Sequence, residues 1–204
     1  MIVLGITGQS GSGKGEVAKY LSSMGFSVID ADAVYHNIIT PPSKCLDELV
    51  FHFGKGIITA GGLLNRKSLA AMVFGKENAE KLLLLNEITH KHVCREIRKI
   101  LSSMKAMGCD FALIDAPLLI EAGLDEDCDF IISVIADRSI RLKRIMRRDK
   151  IDEEMAQKRV DSQKPAEFYT EKSDFWIENN GDINSLCEQV KNILISKDII
   201  NGNN

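Results

Sequence analysis

The stretch Ile2-Val3-Leu4-Gly5-Ile6-Thr7-Gly8-Gln9-Ser10-Gly11-Ser12-Gly13-Lys14-Gly15 decides the fold. It opens with an apolar run of strand length and continues into a G-x-x-x-x-G-K pattern. Glycines at 8, 11 and 13 let the backbone curl until successive N–H groups face inward as an anion nest, and a helix from about Lys14 adds the positive end of its dipole. Lys14 then reaches toward β- and γ-phosphates. Behind it, Val17, Ala18, Tyr20, Leu21 and Met24 recur at helical spacing and Gly25 supplies a turn, so the stretch sits in a strand–loop–helix setting. The predicted nucleotide-binding residues are Gly8, Gly11, Ser12, Gly13, Lys14, Gly15 and Glu16. Such loops ordinarily end in a Ser or Thr whose hydroxyl ligates Mg²⁺. Here Gly15 stands at that position and Glu16 follows, so no neighbouring hydroxyl substitutes.

Outward from the loop, apolar runs of strand length recur at residues 2–6, 26–29, 111–114, 130–135 and, more weakly, 175–177, with helical patterns between them. Continuous apolar strands predict an α/β chain with a five-stranded parallel sheet covered by helices on both faces, and chemistry outside the carboxyl ends of the strands. The interval 35–108 is far longer than one crossover helix needs. Pro41-Pro42 breaks it, 44–53 reads as helix, Gly61-Gly62 turns it, and 66–74 and 77–104 resume helical periodicity. We therefore expect one domain over 1–204: a core of 1–37 and 108–136, a helical insertion at 38–107, a lid at 137–166 and a closing strand and helix at 167–204.

The net charge of −3 argues against a general nucleic-acid binder, whose phosphate contacts require a basic face. Five cysteines, odd in number and without C-x-x-C spacing, read as reduced packing residues. With no basic leader and no apolar run of membrane length, the expectation is a soluble cytoplasmic protein without a membrane partner, a monomer or weak homo-oligomer.

Asp30 and Asp32 end the second strand in Val28-Ile29-Asp30-Ala31-Asp32. If the chain stays extended, both carboxylates project from one face, where they can accept a proton from an attacking hydroxyl or hold Mg²⁺; one of them can instead cap the next helix. Asp32, further out, is the candidate base. Asp115, at the end of 111–114, is either a carboxylate that orders Mg²⁺ through water or a strand-end residue bonded to backbone. A helix at 139–150 carries Arg141, Arg144, Arg147 and Arg148. Arg144 and Arg148, spaced i, i+4, share a face from which a closing lid can neutralise a transferring phosphoryl group. Arg141 stacks on a base or is exposed, and Arg147 reads as solvated. Arg66 and His90, in the insertion, are candidates to contact an anionic second substrate.

Taken together, these residues resemble the dephospho-coenzyme A kinases. The likeness is collinear: Gly5-Ile6-Thr7-Gly8 with Gly11-Ser12-Gly13-Lys14, Asp30-Ala31-Asp32, His52-Phe53-Gly54, Leu64-Asn65-Arg66, Leu85-Asn86 with His90, Pro117-Leu118-Leu119-Ile120-Glu121, Arg144, Arg148-Asp149, Arg159, Gln163 and Asn180-Gly181. It implies a P-loop NTPase fold with a helical CoA-binding insertion and a lid helix. It further implies ATP and Mg²⁺, and phosphorylation of the ribose 3′-hydroxyl of dephospho-CoA in the last step of coenzyme A synthesis. By the same likeness Asp32 is the base, and Lys14 and the loop amides hold the ATP phosphates. The likeness also assigns Arg144 with Arg148 to the lid side, and Arg66, His90, Pro117, Leu118 and Glu121 to lining or supporting the acceptor site; from the residues themselves, Arg144 is a candidate catalytic residue, Arg141 and Arg148 are candidates to bind the nucleotide, and Asp30, Asp32 and Asp115 are the carboxylates that can hold a metal without the loop hydroxyl. Three positions depart from the family pattern: Gly15-Glu16 replaces Ser-Thr, and Lys91 replaces a proline. They leave two alternatives, a kinase of another nucleoside or nucleotide, and a non-catalytic protein whose degenerate loop binds nucleotide or CoA.

Overall fold

A computed structural model describes residues 1–200; residues 201–204, the end of the expected closing segment, lie outside the described residues. Five strands, β1 Ile2–Gly8, β2 Ser27–Asp30, β3 Phe111–Asp115, β4 Phe130–Ile135 and β5 Phe175–Glu178, form one sheet in the order β2-β3-β1-β4-β5. β1 pairs in parallel with β3 and β4, and β4 with β5; Ile6 stands opposite both Asp115 and Ile132, and Ile135 opposite Glu178. The carboxyl ends of these four strands therefore share one edge. Central β1 and β4 are buried along nearly their whole length, as continuous apolar runs require. The outer strands bury only alternate residues: Ile29 and Ile177 are inside, while Val28 and Trp176 are exposed. That alternation explains the weaker sequence signal at 175–177.

The chain divides into two compact units, residues 1–29 with 104 onward, and residues 30–103. In the first, α1 Lys14–Ser23 follows β1 directly and buries Val17, Ala18 and Leu21. It ends where Phe26 N donates to Leu21 O (3.1 Å) and Gly25 N to Ser22 O (3.1 Å), a left-handed stop at Gly25.

The second unit is helical. α2 Ala31–Ile38, α3 Lys44–Phe53 and α4 Arg66–Val73 are capped by Asp30, Ser43 and Asn65, whose side chains accept from amides of their first turns. α5 Ala79–Ala106 runs past the boundary at 103. Ile39, Cys45, Leu49, Ile57, Leu69, Val73 and Ile88 form the unit's own apolar core. The unit begins at Asp30, so α2 groups with the helices rather than with the expected 1–37 core.

Back in the first unit, α6 Arg138–Asp149 and α7 Glu153–Asp161 pack through Ile145, Ala156 and Val160. α8 Ala166–Glu171 follows Pro165, and α9 Ile183–Ser196 lays Leu186, Val190 and Leu194 on the same core as α1 and the sheet. That spacing of four is one helical face. None of the five cysteines is joined in a disulfide. Among the described residues no helix is long and apolar enough to cross a membrane.

Candidate active site

The loop between β1 and α1 has the shape its glycines predict. Gly8 lies at φ +145°, where a Cβ would fall 2.2 Å from the Val134 carbonyl oxygen, and Gly13 lies at φ +101° as the left-handed N-cap of α1. Neither place admits a side chain. The amides of Gly11, Gly13, Lys14 and Gly15 have no hydrogen-bond partner among the described residues. Four donors at a helix N-terminus with the dipole behind them suit a polyphosphate. Gly15 has open space where a Cβ would project. Glu16 turns outward and pairs with Lys19 at 2.8 Å, so its charge is held on the exposed face of α1.

Lys14 Nζ donates to Asp115 Oδ1, both side chains largely buried. Asp115 is thus neither bonded to backbone nor set in an acidic cluster; among the described residues no group of three or more His, Cys, Asp or Glu side chains is arranged to hold a metal. Asp115 stands opposite Ile6, two residues ahead of Gly8, and is a carboxylate on this edge that would suit a divalent cation.

The arginines of α6 behave differently from a solvated or mobile face. Arg141, Arg144 and Arg148, at i, i+3 and i+7, all address the loop. Arg141 is buried, against the expectation of an exposed or base-stacking side chain: its Nε donates to Ser10 O (3.0 Å) and its Nη2 to Gln163 Oε1 (2.5 Å). Burial pushes its pKa down and the neighbouring Arg138 charge adds to this, with Tyr169 opposing. A guanidinium nonetheless stays charged. Arg144 Nη1 donates to the carbonyls of Ser12 (3.2 Å), Gly11 (3.4 Å) and Asn179 (3.0 Å). Arg148 Nη2 reaches Ser10 Oγ (3.3 Å) while Nε and Nη2 grip both oxygens of Asp149. These bonds hold the Asp149 carboxyl below its ordinary range, chiefly through Arg148 and then through Arg159. Arg147 is exposed, as read.

Two residues that sequence reasoning left without a role complete this shell. Gln163 Oε1 accepts from Ser10 N (3.0 Å) as well as from Arg141. Asn179, buried just beyond β5, donates from Nδ2 to Ser12 O (2.7 Å). Gln163 enters the sequence reading only as part of the family likeness, and the signal for Asn179 is only its position at the carboxyl end of a strand. Also on this edge, Thr7 Oγ1 donates to Pro117 O (3.1 Å), Leu118 is exposed, and the exposed Glu121 lies close enough to Tyr169 to raise that phenol's pKa, second to burial.

In the helical unit, the extended course expected through Asp32 is corrected. The strand stops at Asp30 and α2 starts at Ala31, because Asp30 Oδ1 accepts from Asp32 N (2.9 Å) and Ala33 N (3.1 Å). Asp30 is a cap, and Asp32 sits in the first turn with its carboxylate not used by the cap. Arg66 opens α4 and its Nη2 meets His36 Nδ1. His90 is half-buried on α5, and burial lowers its pKa, favouring neutral imidazole. Lys91 bonds Glu48, which also meets His92 Nε2 at 2.7 Å.

Comparison with known proteins gives a consistent result. The family described as dephospho-CoA kinase matches residues 2–185. The chain is 38% identical to the dephospho-CoA kinase of Carboxydothermus hydrogenoformans over 94% of this chain and 92% of that one. A crystal structure from Thermus thermophilus matches with a TM-score of 0.80 at 29% identity, covering 96% of this chain and 97% of that chain. The dephospho-CoA kinase structure from Campylobacter jejuni matches at 0.68 and 27% identity, covering 97% and 98%.

Proposed function

Because this chain belongs to the dephospho-CoA kinase family, we propose that it transfers the γ-phosphoryl group of ATP to the ribose 3′-hydroxyl of dephospho-CoA. Its fold is the P-loop kinase fold. The observation that carries the donor half of this reading is the set of four unpartnered amides at Gly11, Gly13, Lys14 and Gly15 around a lysine. ATP is the phosphoryl donor, and a divalent cation bound with it would neutralise charge on its phosphates.

The 3′-oxygen attacks the γ-phosphorus in line; as that P–O bond forms, the bond from the γ-phosphorus to the β–γ bridging oxygen breaks and ADP leaves. Asp32, whose carboxylate the α2 cap does not use, accepts the hydroxyl proton. Lys14 exchanges Asp115 for the β- and γ-phosphates; Asp115, and from the helical unit Asp32, are the carboxylates that would hold water on a divalent cation. Asp30, engaged as a cap, has at most its second oxygen for that task. Arg148, the most exposed of the three loop-facing arginines, supplies positive charge on the phosphate side. Candidates to bind the acceptor are Arg66 and His90 in the helical unit and Pro117, Leu118 and Glu121 in the sheet unit. His90, kept neutral by burial, suits hydrogen bonding rather than ion pairing.

Membership in a family of enzymes, with Lys14 and Asp32 both in place, favours turnover over binding alone. The test is ADP release across a panel of dephospho-CoA, adenosine and nucleoside monophosphates, with the product's phosphate position assigned by mass spectrometry and NMR. Dephospho-CoA should be preferred and the phosphate should appear at the 3′-oxygen. Preference for a plain nucleoside monophosphate, or ATP binding without product, would contradict the reading.

A further inference from the structure

The loop's curvature is set from outside the loop. Asn179 is fixed by the sheet, its N–H donating to Ile135 O at 2.9 Å, and its side chain is buried. Its Nδ2 donates to Ser12 O (2.7 Å), its Oδ1 accepts from Arg144 Nη2 (3.4 Å), and its own carbonyl accepts from Arg144 Nη1 (3.0 Å). Arg144 Nη1 also reaches Ser12 O, so that carbonyl has two donors. A trans peptide is planar, and its C=O and the following N–H point in opposite directions. Turning Ser12 C=O toward Asn179 and Arg144 therefore turns the Gly13 N–H the other way, into the nest.

A second observation is independent of those bonds. A Cβ built on Gly13 would lie 2.1 Å from Asn179 Nδ2, so the asparagine amide occupies the space that any side chain at position 13 would need. Position 13 and position 179 are complementary shapes.

We propose that Asn179 is a positioning residue for the nucleotide: with Arg144 it orients the Ser12–Gly13 peptide so that the Gly13 amide faces the phosphates. It touches no reacting atom. This inference rests on the reading that the loop takes the ATP phosphates, and it gives Arg144 a loop-orienting task rather than direct contact with the transferring group.

The test uses the full-length protein with Asn179→Ala and Asn179→Asp, following KM for ATP and for dephospho-CoA, direct ATP titration, thermal unfolding, and the ¹H–¹⁵N shift of the Gly13 amide. Loss of one such hydrogen bond predicts a KM for ATP raised about tenfold in N179A, with KM for dephospho-CoA within about twofold, and a reduced nucleotide-induced shift at Gly13. N179D keeps an oxygen for Arg144 but loses the donor to Ser12 O, so it should impair ATP binding at least as much. If N179D binds ATP as the wild type does, the proposal is overturned. It is equally overturned if N179A raises both KM values in parallel with a fall in Tm; should N179A not fold, N179D decides alone. Absence of turnover in the wild type would sink the kinase reading instead, and the ATP titration would still judge Asn179.

Discussion

Lys14 and Asp115 form an ion pair at the carboxyl edge of the sheet, where Asp115 ends β3 opposite Ile6 of β1. A lysine that is to serve phosphate must leave this carboxylate, so the pair opposes nucleotide binding while presenting an acidic oxygen beside the site. Asp115→Asn removes the competing charge. We expect Mg²⁺-free ATP to bind about three- to tenfold more tightly, the range of a partly buried ion pair. Turnover with MgATP should fall, because the carboxylate proposed to order metal-bound water is gone. Calorimetric titration without metal and a steady-state assay with it separate the two effects; weaker metal-free binding would contradict this account.

Gly15 is the position at which a hydroxyl is missing, and nothing lies within 4 Å of a Cβ built there. Gly15→Ser should therefore fold normally and place an oxygen at the N-terminus of α1. If the absent hydroxyl limits metal binding, the Mg²⁺ concentration for half-maximal rate should drop about tenfold, comparable to the effect of single ligand-supporting groups elsewhere. An unchanged Mg²⁺ dependence would mean that phosphates and water already satisfy the cation.

The central strands were legible because burial on both faces leaves an uninterrupted apolar run, and the loop because its glycines answer to local backbone geometry. What the sequence withheld depends on contacts between distant segments. Arg141 looks like surface charge on α6 and Arg144 like a residue aimed at the transferring phosphate, yet their partners Ser10 and Ser12 lie more than 130 positions away. Asn179 carries no local pattern at all. Asp30-Ala31-Asp32 misled in a different way: an alternating strand ending and an N-cap have the same residues, and only the bonds from Asp32 N and Ala33 N distinguish them.

The two aspartates make separable predictions. Asp30→Ala removes the cap of α2 and should cost about 1 kcal/mol of stability, whereas Asp30→Asn, which caps equally well, should cost little. Asp32→Asn should leave thermal stability near the wild type, because its carboxylate makes no part of the cap. Its kcat should nonetheless fall about 10²- to 10⁴-fold, the usual worth of a general base. Equal losses of stability and rate at both positions would argue against the division of labour.

In the helical unit, Glu48 bonds Lys91 and His92, and these bonds, Lys91 first, lower its pKa from 4.5 to about 2. A carboxyl more acidic in the folded protein contributes stability that is complete above its unfolded pKa and disappears as pH falls through the folded one. The window is thus from about 4.5 down to about 2. Glu48→Gln removes the titration, so the wild type should lose stability more steeply than E48Q over that range, and the two should run in parallel above about pH 6, beyond the carboxylate titration range. Denaturant unfolding at half-unit pH steps measures the difference. Parallel curves throughout the acid range would show that the Lys91 and His92 bonds leave the carboxyl's affinity for protons unaltered.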